Sequence, residues 1–200
     1  MSHYFTDDAS LKHQDIRISY VYRGQSFLFD SDAGLFSKGH IDPASDLLLR
    51  TLPPLQGSLL DLGCGYGCLG IILGKSYDLA VTMADVNPKA IRYAKRNAEH
   101  NHFPCDIVES DCYANIAERF DTIVINPPIH AGKVVTYRMY EEAPLHLSNQ
   151  GHLYIVTLKQ HGAPSTVRKL ENIFGHCEIL LKKKEYYILH CTPTDLCSLR

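Results

Sequence analysis

No apolar run approaches the ~18 residues that a membrane-spanning helix needs. The first ten residues, MSHYFTDDAS, lack the basic-then-apolar layout of a secretory leader, so neither a span nor a leader is expected. The seven cysteines are odd in number and none forms a C-x-x-C pair. A disulfide framework and a zinc ribbon are both poor fits, and a reduced, cytoplasmic chain is the simpler expectation. The eleven histidines are scattered, and no metal site is expected. A strongly basic balance is also missing, since the net charge is −2. Binding of nucleic acid through bulk charge is therefore not indicated. Local positive patches exist at Lys89, Arg92, Lys95 and Arg96, at Lys182 to Lys184, and at Lys133 with Arg138. A solvated face accounts for each of these. No repeat, linker or low-complexity segment breaks the 200 residues, which suit one α/β domain with a sizeable core.

What is present is an alternation of short apolar runs and amphipathic segments. Ile16–Tyr22 and Ser26–Asp30, separated by Arg23-Gly24-Gln25, read as a β-hairpin. Asp42-Pro43 supplies an N-cap and a first-turn proline for a helix through Thr51. Strands are predicted at 58–62, 79–84, 105–109, 120–125 and 151–157, and helices at 67–75, 88–100 and 137–147. Strand and crossover in repetition mean a parallel, doubly wound sheet. After a helix at 165–173, strands at 176–182 and 185–191 are separated by Lys183-Lys184 alone. A parallel crossover needs about a dozen residues, so this last pair must be antiparallel.

The loop after the first parallel strand, DLGCGYGCLG at 61–70, fits two patterns. Gly65, Gly67 and Gly70 satisfy G-x-G-x-x-G, a dinucleotide fingerprint. Asp61 with Gly63, Cys64, Gly65 and Gly67 is instead an acid followed by alternate glycines. Glycine frees the backbone for positive φ and lets a ligand approach it. An acid at the strand tip is awkward beside a pyrophosphate and suits a ligand carrying an ammonium group. Asp85, followed by Val86 at the end of the second strand, is placed to accept from ribose hydroxyls, which serves either cofactor. Asn126-Pro127-Pro128-Ile129 follows the apolar strand FDTIVI. The two prolines stiffen the turn and hold Asn126 extended at the strand tip. Methylation of a conjugated exocyclic amine needs its lone pair aimed at the methyl donor. The Asn126 side-chain oxygen and the Pro127 carbonyl can each accept one amino hydrogen and so align that nitrogen.

DLGCGYG resembles motif I of class I S-adenosylmethionine (SAM) methyltransferases, and N-P-P resembles motif IV of amino-methyltransferases. With ADVNP, the acid at 111 and NPPIHAGK, the chain is similar to the small-domain methyltransferase family. That family includes guanine-N2 methyltransferases of small-subunit ribosomal RNA. HYFT near the N-terminus, GLFSKGHID at 34–42 and LKQHGA at 158–163 extend the likeness over nearly the whole chain. The resemblance implies a three-layer, Rossmann-like SAM methyltransferase fold. Its seven-stranded, mostly parallel sheet has an antiparallel last strand and is preceded by an N-terminal β-hairpin. It divides 1–200 into a hairpin and cofactor lid, 1–45, and a catalytic core, 46–200. Phe36, Ser37, Lys38 and Gly39 would lie along the lid, with Lys38 or His40 facing substrate. Asp111 would accept from the adenine amino group, with Cys112 and Tyr113 against the ring. Some members carry a second, degenerate copy of the domain, for which 200 residues leave no room. At 129 stands Ile, where many amino-methyltransferases have an aromatic residue to stack on the base. The implied substrate is an RNA base, unpaired or flipped, in rRNA or an assembling subunit. His130, Lys133, Arg138 and the helix bearing Lys89 to Arg96 are its candidate contacts. Two other readings stay open: a protein glutamine-amide methyltransferase, and a SAM-binding assembly factor without turnover.

Overall fold

The computed structural model describes residues 15–32, 39–127 and 132–193. A hairpin, β1 (Asp15–Tyr22) and β2 (Gln25–Asp32), precedes helix α1 (Pro43–Thr51). Its two-residue turn, Arg23-Gly24, has φ of 49° and 78°, which matches the twist of the paired strands. There follow β3 (Ser58–Leu62), α2 (Cys68–Tyr77), β4 (Ala80–Asp85), α3 (Pro88–His100), β5 (Asp106–Glu109) and β6 (Phe120–Ile125). The chain continues with α4 (Gly132–His146), β7 (Leu147–Leu158), a 3₁₀ turn, α5 (Ala163–Phe174), β8 (Glu178–Lys183) and β9 (Tyr186–Cys191).

The seven-stranded sheet has the order β5-β4-β3-β6-β7-β9-β8. The first five strands in that order run parallel, and β9 lies antiparallel to both β7 and β8. The predicted fold is the observed one, with the last strand inserted inside the edge strand. The order reverses between β3 and β6, and open α/β sheets bind ligands at the carboxyl ends on either side of such a reversal.

Helices cover both faces, and each face has its own apolar core. On one side α1, α2 and α3 bury Leu48, Leu49, Ile71, Ile72 and Ala94 against Leu59, Val124, Val156 and Ile188. On the other, α4 and α5 bury Met139, Tyr140, Leu170 and Phe174 against Leu60, Ile123, Ile155 and Leu189. Strands buried on both faces read as continuous apolar runs, which is why SLLDL and FDTIVI were legible. Helix α2 rests so closely on the sheet that a Cβ at Gly74 would lie 2.3 Å from Phe103 Cζ and 2.6 Å from Val81 Cγ2. Gly74→Ala is therefore expected to lower unfolding free energy by roughly 1–3 kcal/mol despite its better helix propensity. Urea titration checks this, and a gain in stability would mean that α2 can ride outward.

Helix α3 holds the hairpin. Asn97 and Asn101 each accept one backbone N–H of β2 and donate to its carbonyl, at Asp30 (2.7 and 2.8 Å) and Leu28 (3.1 and 2.7 Å). Two side-chain amides thus act as the missing strand beside an otherwise open edge. Lys89 pairs with the buried Asp32 at 2.7 Å, and Arg96 with Asp30 at 3.4 Å. Two cations of the predicted RNA-contacting helix are in this way engaged in fixing the hairpin.

The largest departures from the expected boundaries fall at two element starts. Helix α4 starts at Gly132, not 137, and β7 starts at Leu147, not 151. In α4 only Met139, Tyr140 and Ala143 are buried, so its first turns show no apolar period. The early part of β7 pairs with Phe120 across a register irregularity between Phe120 and Thr122, which hides its alternation. No helix among the described residues is long and apolar enough to cross a membrane.

Candidate active site

At the carboxyl ends of β3, β6 and β7 lies a cavity of about 650 Å³. Asp61, Gly63, Cys64 and Gly65 form its floor on one side, and Asn126 and Pro127 lie beside them. The start of α1 contributes Asp42 and Ser45, the start of α4 contributes Lys133, Thr136 and Tyr137, and β7 and β9 add Val156 to Leu158 and Tyr186.

Gly63, Gly65 and Gly67 have φ of 76°, 57° and 86°, all in the left-handed region where a side chain is strained. The loop is anchored from β4: Gly63 and Cys64 N–H donate to the Ala84 carbonyl at 2.8 and 3.0 Å. Gly65 N–H donates to Asp85 Oδ2 at 2.9 Å. Gly70 differs, since it sits inside α2, where a Cβ would lie 2.7 Å from Met83. It is a packing glycine, and the G-x-G-x-x-G match is incidental. Burial pushes the Cys64 and Cys68 thiols up, so neither is a ready nucleophile.

Asp61 is buried and accepts the Gly70 N–H on Oδ2 at 2.8 Å. Burial raises its carboxyl to about 7, against the lowering by that hydrogen bond, and the nearby Asp85 raises it further. No cationic side chain among the described residues pairs with it. A buried acid facing a cavity without a countercharge is a site for a cationic ligand group. Asp85 is buried at the tip of β4 and does not line this cavity; its Oδ1 accepts the Asn87 N–H at 2.9 Å. The cap of α3 is Asn87, whose side chain accepts from Lys89 N–H.

Asn126 Nδ2 donates to Asp42 Oδ1 at 3.3 Å and to Ser45 Oγ at 3.0 Å. A carboxylate only accepts, so the amide's NH₂ half is fixed toward α1 and its oxygen away from it. That oxygen and the Pro127 carbonyl have no partner among the described residues. Asp42 was legible as the cap of α1, where it accepts Ser45 N–H at 2.9 Å. Its second role could not be read, because 84 residues separate it from Asn126.

Tyr186 also escaped the motif reading. It is half-buried on the cavity wall, where it packs against the apolar cluster that includes Val156 and Ile188. Tyr137, by contrast, has Lys169 over its ring at 5.4 Å. Asp111 and Cys112 lie outside the cavity, where Arg138 of α4 pairs with Asp111 and contacts Cys112 Sγ. Val86 follows Asp85 beyond the cavity, and Gly67 is the N-cap of α2. Gly39 has φ of 87° and open space around it. Phe36, Ser37, Lys38, Pro128, Ile129 and His130 lie outside the described residues.

A sheet of this order, with a buried acid at the end of its first parallel strand and a glycine cradle after it, defines a class I SAM-dependent methyltransferase. Comparison with known proteins gives the family: the methyltransferase small domain model matches residues 26–190, and the chain belongs to that family. It is 39% identical over 193 residues to the uncharacterized protein YbxB of Bacillus subtilis, covering 94% of this chain and 96% of that one. It is 37% identical over 171 residues to ribosomal RNA small subunit methyltransferase C of Vibrio parahaemolyticus, covering 83% of this chain and 49% of that one. A similar solved structure is a T. thermophilus 16S rRNA N2 methyltransferase in complex with AdoMet and guanosine, with TM-score 0.80 and 29% identity. That match covers 89% of this chain and 50% of that one. The chain thus spans about half the length of these ribosomal RNA methyltransferases.

Proposed function

We propose that this protein methylates the exocyclic N2 of a guanine in small-subunit ribosomal RNA. The observation that carries this is the Asn126 amide, oriented by α1 so that its oxygen faces away, beside the Pro127 carbonyl and the glycine cradle. Two acceptors there take one hydrogen each from an amino group and favour a tetrahedral nitrogen whose lone pair lies in line for attack. Backbone carbonyl and amide oxygens do this without accepting a full proton, and the proton is lost after the C–N bond forms. Bound SAM supplies the electrophilic sulfonium methyl.

For the cofactor, the Gly63–Gly67 loop offers open backbone, and Asp61 offers a buried negative charge to an ammonium group. From the family resemblance we assign Asp85 with Val86 to the ribose hydroxyls and Asp111 with Cys112 to the adenine, beyond the cavity that Asp61 and Asn126 line. Phe36 to Gly39 would close over it as a lid, with 1–45 acting as hairpin and cover for the core of 46–200. The relatives named for ribosomal RNA methylation and the neighbour solved with guanosine support RNA as substrate. With Ile129 in place of an aromatic residue, Tyr186 is the side chain suited to the face of the base. Tyr186→Ala is expected to raise KM for RNA by roughly tenfold, the scale of one base–aromatic stack, and Tyr186→Phe to restore it. Equal KM in all three proteins would remove Tyr186 from the substrate site.

The test is to incubate the protein with methyl-labelled SAM and, separately, small ribosomal subunits, naked rRNA and release factors. Label in N2-methylguanosine supports the reading. Label on a release factor glutamine, or on no substrate, overturns it.

A further inference from the structure

We infer that Asp42 is the residue that selects guanine, by accepting the N1–H beside the reacting amino group. The inference rests on the proposed function of the same site. Asp42 lines the cavity with Asn126 and Pro127. Its Oδ1 is occupied, taking Ser45 N–H at 2.9 Å and Asn126 Nδ2 at 3.3 Å. Its Oδ2 has no hydrogen-bond partner among the described residues. One carboxylate oxygen thus fixes the helix cap and the Asn126 amide, and the other remains as an acceptor next to the acceptors for the amino group.

Register places these groups on one face of the sheet. Val124 pairs with Tyr154 and Ile155 with Ile125, so Asn126 continues the row that holds Val156. Val156 pairs with Ile188 and Leu158 with Tyr186, on the same face as Val124. The start of α1 packs over this face, with contacts to both β7 and β9. A flat base entering between Asn126 and Tyr186 meets Asp42 along its hydrogen-bonding edge.

The bases differ at the atom that Asp42 would meet. In guanine the ring nitrogen next to the amino group carries hydrogen and donates. In adenine and cytosine the corresponding ring nitrogen is an acceptor, and a carboxylate facing it leaves two unpaired acceptors in contact. A site that hydrogen-bonds a donor rejects an analogue lacking it far more strongly than apolar contact can. Asn126 and Pro127 alone would accept any amino group, so discrimination has to come from a neighbour such as Asp42.

The experiment compares binding of guanosine and 2-aminopurine riboside, which keeps the 2-amino group but has an acceptor at N1. Calorimetry with cofactor present gives the preference for the unaltered protein and for Asp42→Asn. Asparagine caps a helix as well as aspartate does, so Asp42→Asn should fold, which thermal unfolding verifies. Its side chain can turn a donor toward an N1 acceptor. The unaltered protein is expected to prefer guanosine by roughly tenfold or more, and Asp42→Asn to lose most of that preference. A guanosine preference unchanged in Asp42→Asn overturns the role of Asp42 even where labelling of guanine N2 stands. Failure of the unaltered protein to label any guanine overturns the proposed function and this inference together.

Discussion

Asn126→Ala is expected to lower kcat for RNA methylation by on the order of a hundredfold or more while SAM affinity stays within about threefold. The asymmetry follows from where the amide is tied. Asn126 hydrogen-bonds Asp42 and Ser45 of α1, whereas the glycine loop is held from β4 through Ala84 and Asp85. Removing the side chain deletes an acceptor that acts on the amino nitrogen and leaves the cradle intact. Asn126→Asp is the informative companion. A carboxylate beside Asp42 would repel it, so the oxygen loses its fixed position even though an acceptor is still present. Single-turnover assays with saturating SAM, paired with calorimetry for SAM, separate the two effects. Loss of SAM affinity in Asn126→Ala would move this residue from the substrate side of the site to the cofactor side.

A second large effect concerns Asp61 and pH. Its carboxyl is raised from 3.8 to about 7, chiefly by burial. Across that interval the folded protein keeps a proton that the unfolded chain has lost. Stability from this group is therefore fully present below the unfolded value and is lost as pH rises through the folded one. Without ligand, unfolding free energy should fall by several kcal/mol, order of magnitude, between about pH 4 and about pH 7, and Asp61→Asn should remove most of that slope. Addition of SAM should also flatten it, because an ammonium group beside the ionised carboxylate restores a partner. The same variant should bind SAM on the order of tenfold or more weakly above neutral pH, the cost of losing a partly buried charge pair. Urea titrations across this pH range, with and without SAM, test it. Identical slopes in both proteins would show that Asp61 is not the group that titrates.

Much of the molecule can be read from one dimension because its signals are local. Apolar runs such as SLLDL and FDTIVI are buried on both faces, the Asp42 and Asn87 caps sit beside prolines, and Lys184-Glu185 is too short for anything but an antiparallel return. The start of α4 was not legible, since its first turns are exposed and carry no periodicity. The charge run at 89–96 was legible only in part for a related reason. Spacing shows cations on a helix but not the carboxylates that meet them, and Lys89 and Arg96 face Asp32 and Asp30.

For the site, the division is similar. By itself the sequence determined the glycine cradle, the acid before it and the N-P-P turn, because φ preferences and proline stiffness act between chain neighbours. Tertiary structure alone decided which way the Asn126 amide faces, that Asp42 stands beside it, and that Tyr186 joins the cavity wall. Those contacts join segments far apart along the chain, and hydrogen-bond direction and burial arise only when the sheet brings the segments together.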